Sequence, residues 1–280
     1  VQQKESVKGV LPVAILESSS TVLPARRAVP LRGLALFFKL LGFALRDFFR
    51  SVWALFVLAL LVAIHLLLFN ESPTRGHFFG VQYASTILVA GIAAAGMFSR
   101  ANRVEMYPIL ARSLSRVTIA GALMLAAWMV SVGAYLLSSA AVLIRYGSWF
   151  EVNTPIERWM DVPTFLYGTL PMLAIGVLAV SVVALLSTFV SPSVLRLILL
   201  ALIALLIMSF DNRNFPIEGI RPALQALPPV MAPVAGALRY ATDVSRDTVA
   251  VVSLAMLAGY AFFLTLAVLL LSAARETVLD

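Results

Sequence analysis

The sequence predicts an all-α integral membrane protein: six transmembrane helices, an N-terminal amphipathic helix in the membrane interface, and a short cytoplasmic helix between the second and third spans. Three observations predict it. Of 280 residues, 61% are hydrophobic and 12% charged, whereas an ordinary soluble domain carries roughly 45–50% apolar and about 25% charged residues. Six apolar runs approach the about 20 residues with which a helix crosses a bilayer. Lys and Arg are divided unevenly between alternate loops, as they are when cytoplasmic loops collect positive charge. With a mean hydropathy of +0.96, a sphere of this composition would expose more apolar surface than a water-soluble protein keeps.

The same composition removes several function classes. Zero cysteines exclude disulfides, thiolate metal sites and cysteine nucleophiles, and the two histidines, His65 and His77, leave little for a histidine metal cluster. The formal charge of +7 lies scattered among apolar runs, so basic flanks of membrane helices explain it better than a nucleic-acid surface.

In chain order, residues 1–29 read as a cytoplasmic N-terminal extension. Its apolar stretch Val10 to Leu16 is too short for the core of a secretory signal. Residues 30–51 follow as the interfacial helix. After Pro30, the segment LRGLALFFKLLGFALRDFFR carries Arg32, Lys39, Arg46 and Arg50 at spacings of 7, 7 and 4. Those spacings put one basic stripe along a helix whose other faces are Leu and Phe, the pattern of a helix lying against anionic headgroups. The alternative is a single broken helix made of this segment and span one. The transmembrane domain, 52–273, holds the spans Val52 to Phe69, Phe79 to Phe98, Val117 to Ile144, Thr164 to Thr188, Val194 to Phe210 and Thr248 to Ala273, and 274–280 form a tail. The third span is long enough to tilt or project, and the fifth is short.

Fourteen of the 21 Lys and Arg fall before span one, in the second and fourth loops and in the tail; the other seven share their loops with eight acids. Both termini are therefore expected in the cytoplasm of a plasma (inner) membrane, of a bacterial kind. On the outside, Thr154-Pro155-Ile156-Glu157 has the form of a capping box with proline at the first helical position. The outer segment from Asp211 to Asp247 carries Pro216, Pro222, Pro228, Pro229 and Pro233 among apolar residues. Too apolar for a solvated loop and too rich in proline for a straight span, it predicts a pair of short helices dipping into the outer leaflet under cover of protein. A structured cap without a transport role is the plainer reading of the same residues.

What the spans lack narrows function further. Ion-coupled transporters keep ionisable groups at membrane depth; these spans hold only His65, Arg196 near a cytoplasmic end, and tyrosines. His65, four residues from the outer end of span one, is expected to hydrogen-bond a neighbouring helix or reach the interface. There is no GxSG, no paired aspartate within the spans, no HExxH and no GxxxxGK[ST] phosphate loop. Gly91, Gly96, Gly121, Gly133 and Gly176 suit close helix packing. No catalytic residue, metal ligand or cofactor is expected on this chain, which is not read as an enzyme by itself.

The second cytoplasmic loop reads SRANRVEMYPILARSLSRVTIAGALML. A short polar helix around Arg103 to Arg112 would offer charged and aromatic side chains to a cytosolic partner. Here the chain resembles the permease subunits of type-two ABC exporters. Glu105 looks like the family's acid after the second span, Leu114-Ser115-Arg116 like the start of the third span, and Gly121 like its early glycine. The interfacial helix, the six spans, the short fourth loop and the outer run Leu227-Pro228-Pro229, Pro233 and Leu238-Arg239 extend the resemblance over most of the chain. Ala122 stands where a basic residue often follows the glycine, and Met106-Tyr107-Pro108 replace the usual charged, glycine-containing run.

The resemblance implies a half-transporter that pairs with a second permease, as a homo- or heterodimer, and with cytosolic ATP-binding subunits on which ATP and Mg would be consumed. It implies that Arg103, Glu105, Tyr107, Arg112 and Arg116 couple to the ATPase, that Arg32, Lys39, Arg46 and Arg50 seat the interfacial helix on membrane lipids, and that Pro228, Pro229, Pro233 and Arg239 belong to an outer lid. A path so poor in charge suggests an amphipathic, lipid-like or peptide cargo. Two further readings compete: a non-transporting membrane scaffold or assembly subunit, for which uncharged spans are equally natural, and a lipid-acting enzyme, whose candidate groups are Glu151, Glu157 and Asp161.

Overall fold

The computed structural model describes residues 30–69, 73–101, 115–146, 160, 162–189, 198, 232–242 and 248–277. Those residues are all-helical in architecture, without a strand. The helices are α1 (Pro30–Phe49), α2 (Val52–Leu68), α3 (Arg75–Ala101), α4 (Arg116–Tyr146), α5 (Val162–Phe189), α6 (Ala232–Thr242) and α7 (Thr248–Thr277). Four of them, α3, α4, α5 and α7, are long and apolar enough to cross a membrane, and α1 with α2 makes a fifth candidate if that bent pair is one span. Apart from Ile198, the predicted fifth span lies outside the described residues, as do the helix expected at Thr154-Pro155 and the loop helix at 103–112.

Helix starts follow from local chemistry. Thr74 precedes α3 and its hydroxyl accepts the amide of His77 at 3.3 Å, while Ser115 precedes α4 and accepts the amide of Thr118 at 3.2 Å. Each satisfies one of the amides that a first helical turn leaves without a partner. Ser51, between α1 and α2, works backwards: its hydroxyl donates to the carbonyl of Phe48 at 2.6 Å. This closes α1, and the chain leaves at a 65° bend into α2. The bend is compatible with both sequence readings of this region, an interfacial helix before span one and a broken span.

The bundle is built around α3, the most buried of the four long helices; 83% of its most apolar window is inside the protein, against 17% for α7. The difference comes from side-chain size. Ala90, Ala93, Ala94 and Ala95 of α3 are fully buried, and so are Ala122, Ala126 and Ala127 of α4. Where lipid is as apolar as leucine, small residues let helix backbones approach and gain dispersion contacts that bulky ones prevent. α3 packs on α4, α5 and α2; α7 packs on α5 and α6. At ~1.5 Å per residue, the 31 residues of α4 reach ~46 Å, beyond the about 30 Å of a hydrocarbon core, which fits the expected tilt or projection of that span.

Two chain directions follow from the contacts. Trp53 of α2 lies over Gly96 of α3, and Leu68 meets His77, so α2 and α3 run antiparallel. In contrast, α5 runs parallel to α3, with Phe79 against Gly168 and Thr86 against Gly176. α7 runs the same way as α5: its Ser253 sits beside α6, and its Leu269 beside Gly121 near the start of α4.

Candidate functional site

The described residues hold no group of three or more His, Asp or Glu side chains able to take a metal ion. Their uncharged polar contacts between helices gather in three places: a polar seam inside the bundle, a tied corner at the end of α2, and the seat of the short helix α6.

The seam joins α3, α4 and α5. Gln82, fully buried, donates from its amide to the Ser138 hydroxyl at 3.0 Å, and the Ser85 hydroxyl donates to the Gln82 carbonyl at 3.0 Å. One turn further, Ser131 donates to the Thr86 carbonyl at 3.3 Å. Toward α5, Trp128 Nε1 donates to the Leu173 carbonyl at 3.2 Å, and the Tyr135 and Thr169 hydroxyls share a 2.9 Å bond. Ser181 of α5 and Thr265 of α7 meet at 2.8 Å. Buried polar groups in an apolar medium need such partners. Spaced along four helices, they fix the register that alanine packing alone leaves free to slide.

At the end of α2 the helix exposes its last carbonyls, and neighbouring helices supply donors. His77 Nε2 lies 2.7 Å from the Leu68 carbonyl, which requires a proton on that nitrogen, and the Tyr146 hydroxyl donates to the Phe69 carbonyl. Phe69 is fully buried between the His77 and Phe78 rings. His65 Nδ1 is buried with no hydrogen-bond partner, and its ring packs against Phe69 at a 6.1 Å centroid distance. The histidine that reaches a neighbouring helix is His77.

The third place is α6. Tyr83 of α3 donates to the Val234 carbonyl at 2.8 Å. On its other side, a Cβ on Gly236 would fall too close to Ser253 of α7 for any side chain to fit without movement. The helix is thus held from two sides, about two turns in from the start of α3. Replacing Tyr83 by phenylalanine is expected to cost roughly 0.6 and at most about 1.7 kcal/mol, the range for hydrogen bonds between membrane helices, whereas Gly236→Leu is expected to unseat α6. Protease accessibility of α6 in the purified chain distinguishes the two: unchanged in Tyr83→Phe, markedly raised in Gly236→Leu.

Of the residues singled out from the sequence, Lys39 and Arg46 on α1 and Arg50 at the bend are exposed, on the side away from Leu40, Leu41, Ala44 and Phe48, which are buried. Arg32 lies within α1. Arg116 is the first residue of α4 and exposed; Pro233 is buried in the first turn of α6 and Arg239 is exposed in its last. Arg103, Glu105, Tyr107, Arg112, Pro228 and Pro229 lie outside the described residues, as do Glu151, Glu157 and Asp161. Of the glycines expected at close contacts, Gly96 meets Trp53 and Gly176 meets Ser131 and Trp128, but Gly133 faces open space. The two tightest approaches, Gly168 and Gly236, were not among those expected.

Sequence reasoning also missed Gln82, though a signal for it existed: it is the one carboxamide in the six predicted spans. Compared with known protein families, with curated proteins and with solved structures, the chain matches none.

Proposed function

We propose that this chain is the membrane-spanning permease subunit of an ATP-driven ABC exporter. It moves an amphipathic, lipid-like or peptide cargo, with the energy of ATP hydrolysis on a separate cytosolic subunit. The observation that carries the reading is the combination, in one chain, of a tightly packed bundle with no buried charge among the described residues, an amphipathic helix, α1, and a short helix, α6, each packed on a different part of it. The uncharged seam suits a permease whose driving force enters from outside the bundle, because ion-coupled transporters keep charge at membrane depth. Since α5 and α7 run in the same sense, a return crossing between them is what the predicted fifth span would supply, and six spans leave both termini on one side.

In this reading α1 lies in the cytoplasmic interface with Lys39, Arg46 and Arg50 toward headgroups, and α6 with Pro233 is the inner part of an outer lid. The loop of Arg103, Glu105, Tyr107 and Arg112, ending where Ser115 caps α4, takes the ATPase. ATP-driven closure of the ATPases moves that loop as a lever and shifts the packing between two permeases, a bistable rearrangement of rigid bodies.

Affinity purification of the full chain in mild detergent from its own membrane, with mass spectrometry of co-purifying proteins and an ATPase assay, tests the proposal. A stoichiometric soluble partner with a phosphate-binding loop and vanadate-sensitive hydrolysis is the expected result. Repeated recovery without an ATPase, under conditions that preserve other membrane complexes, would overturn it in favour of the non-transporting scaffold.

A further inference from the structure

Behind the bend at Ser51 an apolar groove of about 670 Å³ runs between α1, α2 and α4, with Gly133 on its wall; it is open to lipid of any kind. The first turns of α5 are a different case, because there a loosely held helix end covers polar groups. From Val162 to Leu170 the buried residue is Gly168, whereas Pro171, Met172, Ile175, Gly176, Ala179 and Val180 are buried in the stretch that follows. Val162, Leu166, Tyr167 and Leu170 are exposed.

The sequence Gly168-Thr169-Leu170-Pro171 weakens the helix where these two parts meet. Gly168 lacks the side chain that restricts backbone rotation. The Thr169 hydroxyl donates to the Phe165 carbonyl at 2.8 Å, a bond that competes with the helical ladder and bends helices. Pro171 has no amide hydrogen, so the ladder loses one bond there, and its ring crowds the turn before it. The segment is held on the bundle by the Phe79 ring over Gly168, by the 2.9 Å bond between the Tyr135 and Thr169 hydroxyls, and by the Phe165 ring stacked on Tyr135 at 6.2 Å and 6°.

Under the segment lie groups that water would serve. Trp128 meets Leu173 and Tyr135 meets Thr169, so α4 and α5 run antiparallel and Ser139 falls level with the first turns of α5. Ser139 shares a face of α4 with Tyr135, four residues earlier. It is 1% exposed, and its Oγ finds no partner at hydrogen-bond geometry. Ser138 beside it accepts the Gln82 amide. A buried hydroxyl without a partner is costly, so hydration offsets part of what the segment loses when it leaves the bundle.

We infer that Val162–Leu170 is a gate. It swings about Pro171 as one piece, parts the Tyr135–Thr169 bond, lifts off Phe79 and admits water to Ser139 and to the Gln82–Ser138 pair, while α5 beyond Pro171 stays in the bundle. The device gives an apolar bundle a polar face that is wetted from one end. It does not rest on the exporter reading; it requires only that the chain lies in a bilayer with the start of α5 at a membrane face.

The chain has no cysteine, so a Ser139→Cys variant in lipid nanodiscs, treated with a charged methanethiosulfonate, reads water access directly. Ser181→Cys, also buried but beyond the hinge, is the reference. Modification of Ser139→Cys is expected to be at least about tenfold faster than that of Ser181→Cys, because local opening is easier than opening of the core. Adding Pro171→Ala, which restores the missing amide hydrogen, is expected to slow it at least about tenfold. Adding Tyr135→Phe, which removes the latch, is expected to speed it about threefold, the factor for one hydrogen bond between membrane helices. Hydrogen exchange of the unaltered chain gives a second reading should Ser139→Cys fail to yield folded chain. Amides of residues 166–170 are expected to exchange at least about tenfold faster than those of 175–184, and Pro171→Ala to remove the difference.

Modification of Ser139→Cys as slow as that of Ser181→Cys would overturn the inference. So would a rate that neither Pro171→Ala nor Tyr135→Phe changes, by assigning access to loosening of the whole bundle. Equal exchange on the two sides of Pro171, or a difference that survives Pro171→Ala, would overturn it as well.

Discussion

Gly168→Ala is expected to destabilise the bundle by about 3 kcal/mol, the upper part of the range for overpacking a well-filled core, and Gly168→Leu to prevent its assembly. The reason is the surroundings of one ring. A Cβ at Gly168 would overlap the Phe79 ring. Phe79 is fully buried and stands edge-on to Phe78 at a centroid distance of 5.1 Å, and Phe78 in turn packs on Phe69. Phe69 and Phe78 are fully buried as well, so a shift of the ring toward them meets packed side chains and the strain passes to the α3–α5 contact. At roughly 2–4 °C per kcal/mol, alanine at 168 lowers the melting temperature by about 6–12 °C in detergent. Gly133→Ala is the control. Facing open space, it is expected to be neutral or to gain up to about 1 kcal/mol of helix propensity. Equal melting temperatures for the two variants would show that α5 does not sit on Phe79 as described.

Reversing charge on the loop between α3 and α4 is expected to have the largest effect on activity. If the loop of Arg103 to Arg112 takes the ATPase, Glu105→Arg and Arg112→Glu each place a charge against a partner surface matched to the opposite sign. Breaking a hydrogen-bonded interfacial charge pair costs about 2–5 kcal/mol. That corresponds to at least about 25-fold weaker capture of the ATPase, seen as lost co-purification or as hydrolysis that continues without transport. The bundle itself is expected to keep its melting temperature in both variants, because α3 and α4 take their register from Gln82, Ser131 and Ser138 rather than from the loop. Full assembly and transport in both variants would remove the loop from the coupling role and leave the exporter reading without its mechanism.

Four of the spans were legible from hydropathy alone. The predicted Phe79 to Phe98, Val117 to Ile144, Thr164 to Thr188 and Thr248 to Ala273 lie inside α3, α4, α5 and α7, each of which runs on by a few residues at one or both ends. Helices do not stop where apolar residues stop; they stop where backbone groups find other partners, as the caps at Thr74 and Ser115 show. The basic stripe of α1 was legible for a similar reason: periodicity within one helix is a property of local sequence. Span one was harder, since Val52–Leu68 is only 17 residues long, and its relation to α1 turned on a single residue, Ser51.

The candidate sites were less legible, because each depends on which helices meet. Gly168 looks no different from Gly133 in sequence, yet one accepts a phenylalanine ring and the other faces a groove. His77 meets the Leu68 carbonyl while His65 Nδ1 has no partner, because His77 lies across from the α2 carbonyls at the start of a neighbouring helix. Composition and hydropathy by themselves determined the solvent, the helical class and, among the described residues, the absence of buried charge, since these are sums over residues and bilayer transfer is close to additive. Tertiary structure alone decided the register of α3 on α4, the seat of α6 under Tyr83 and the groove behind the bend. In lipid the hydrophobic effect does not choose one apolar helix face over another; that choice falls to close contacts and hydrogen bonds between residues far apart in the chain.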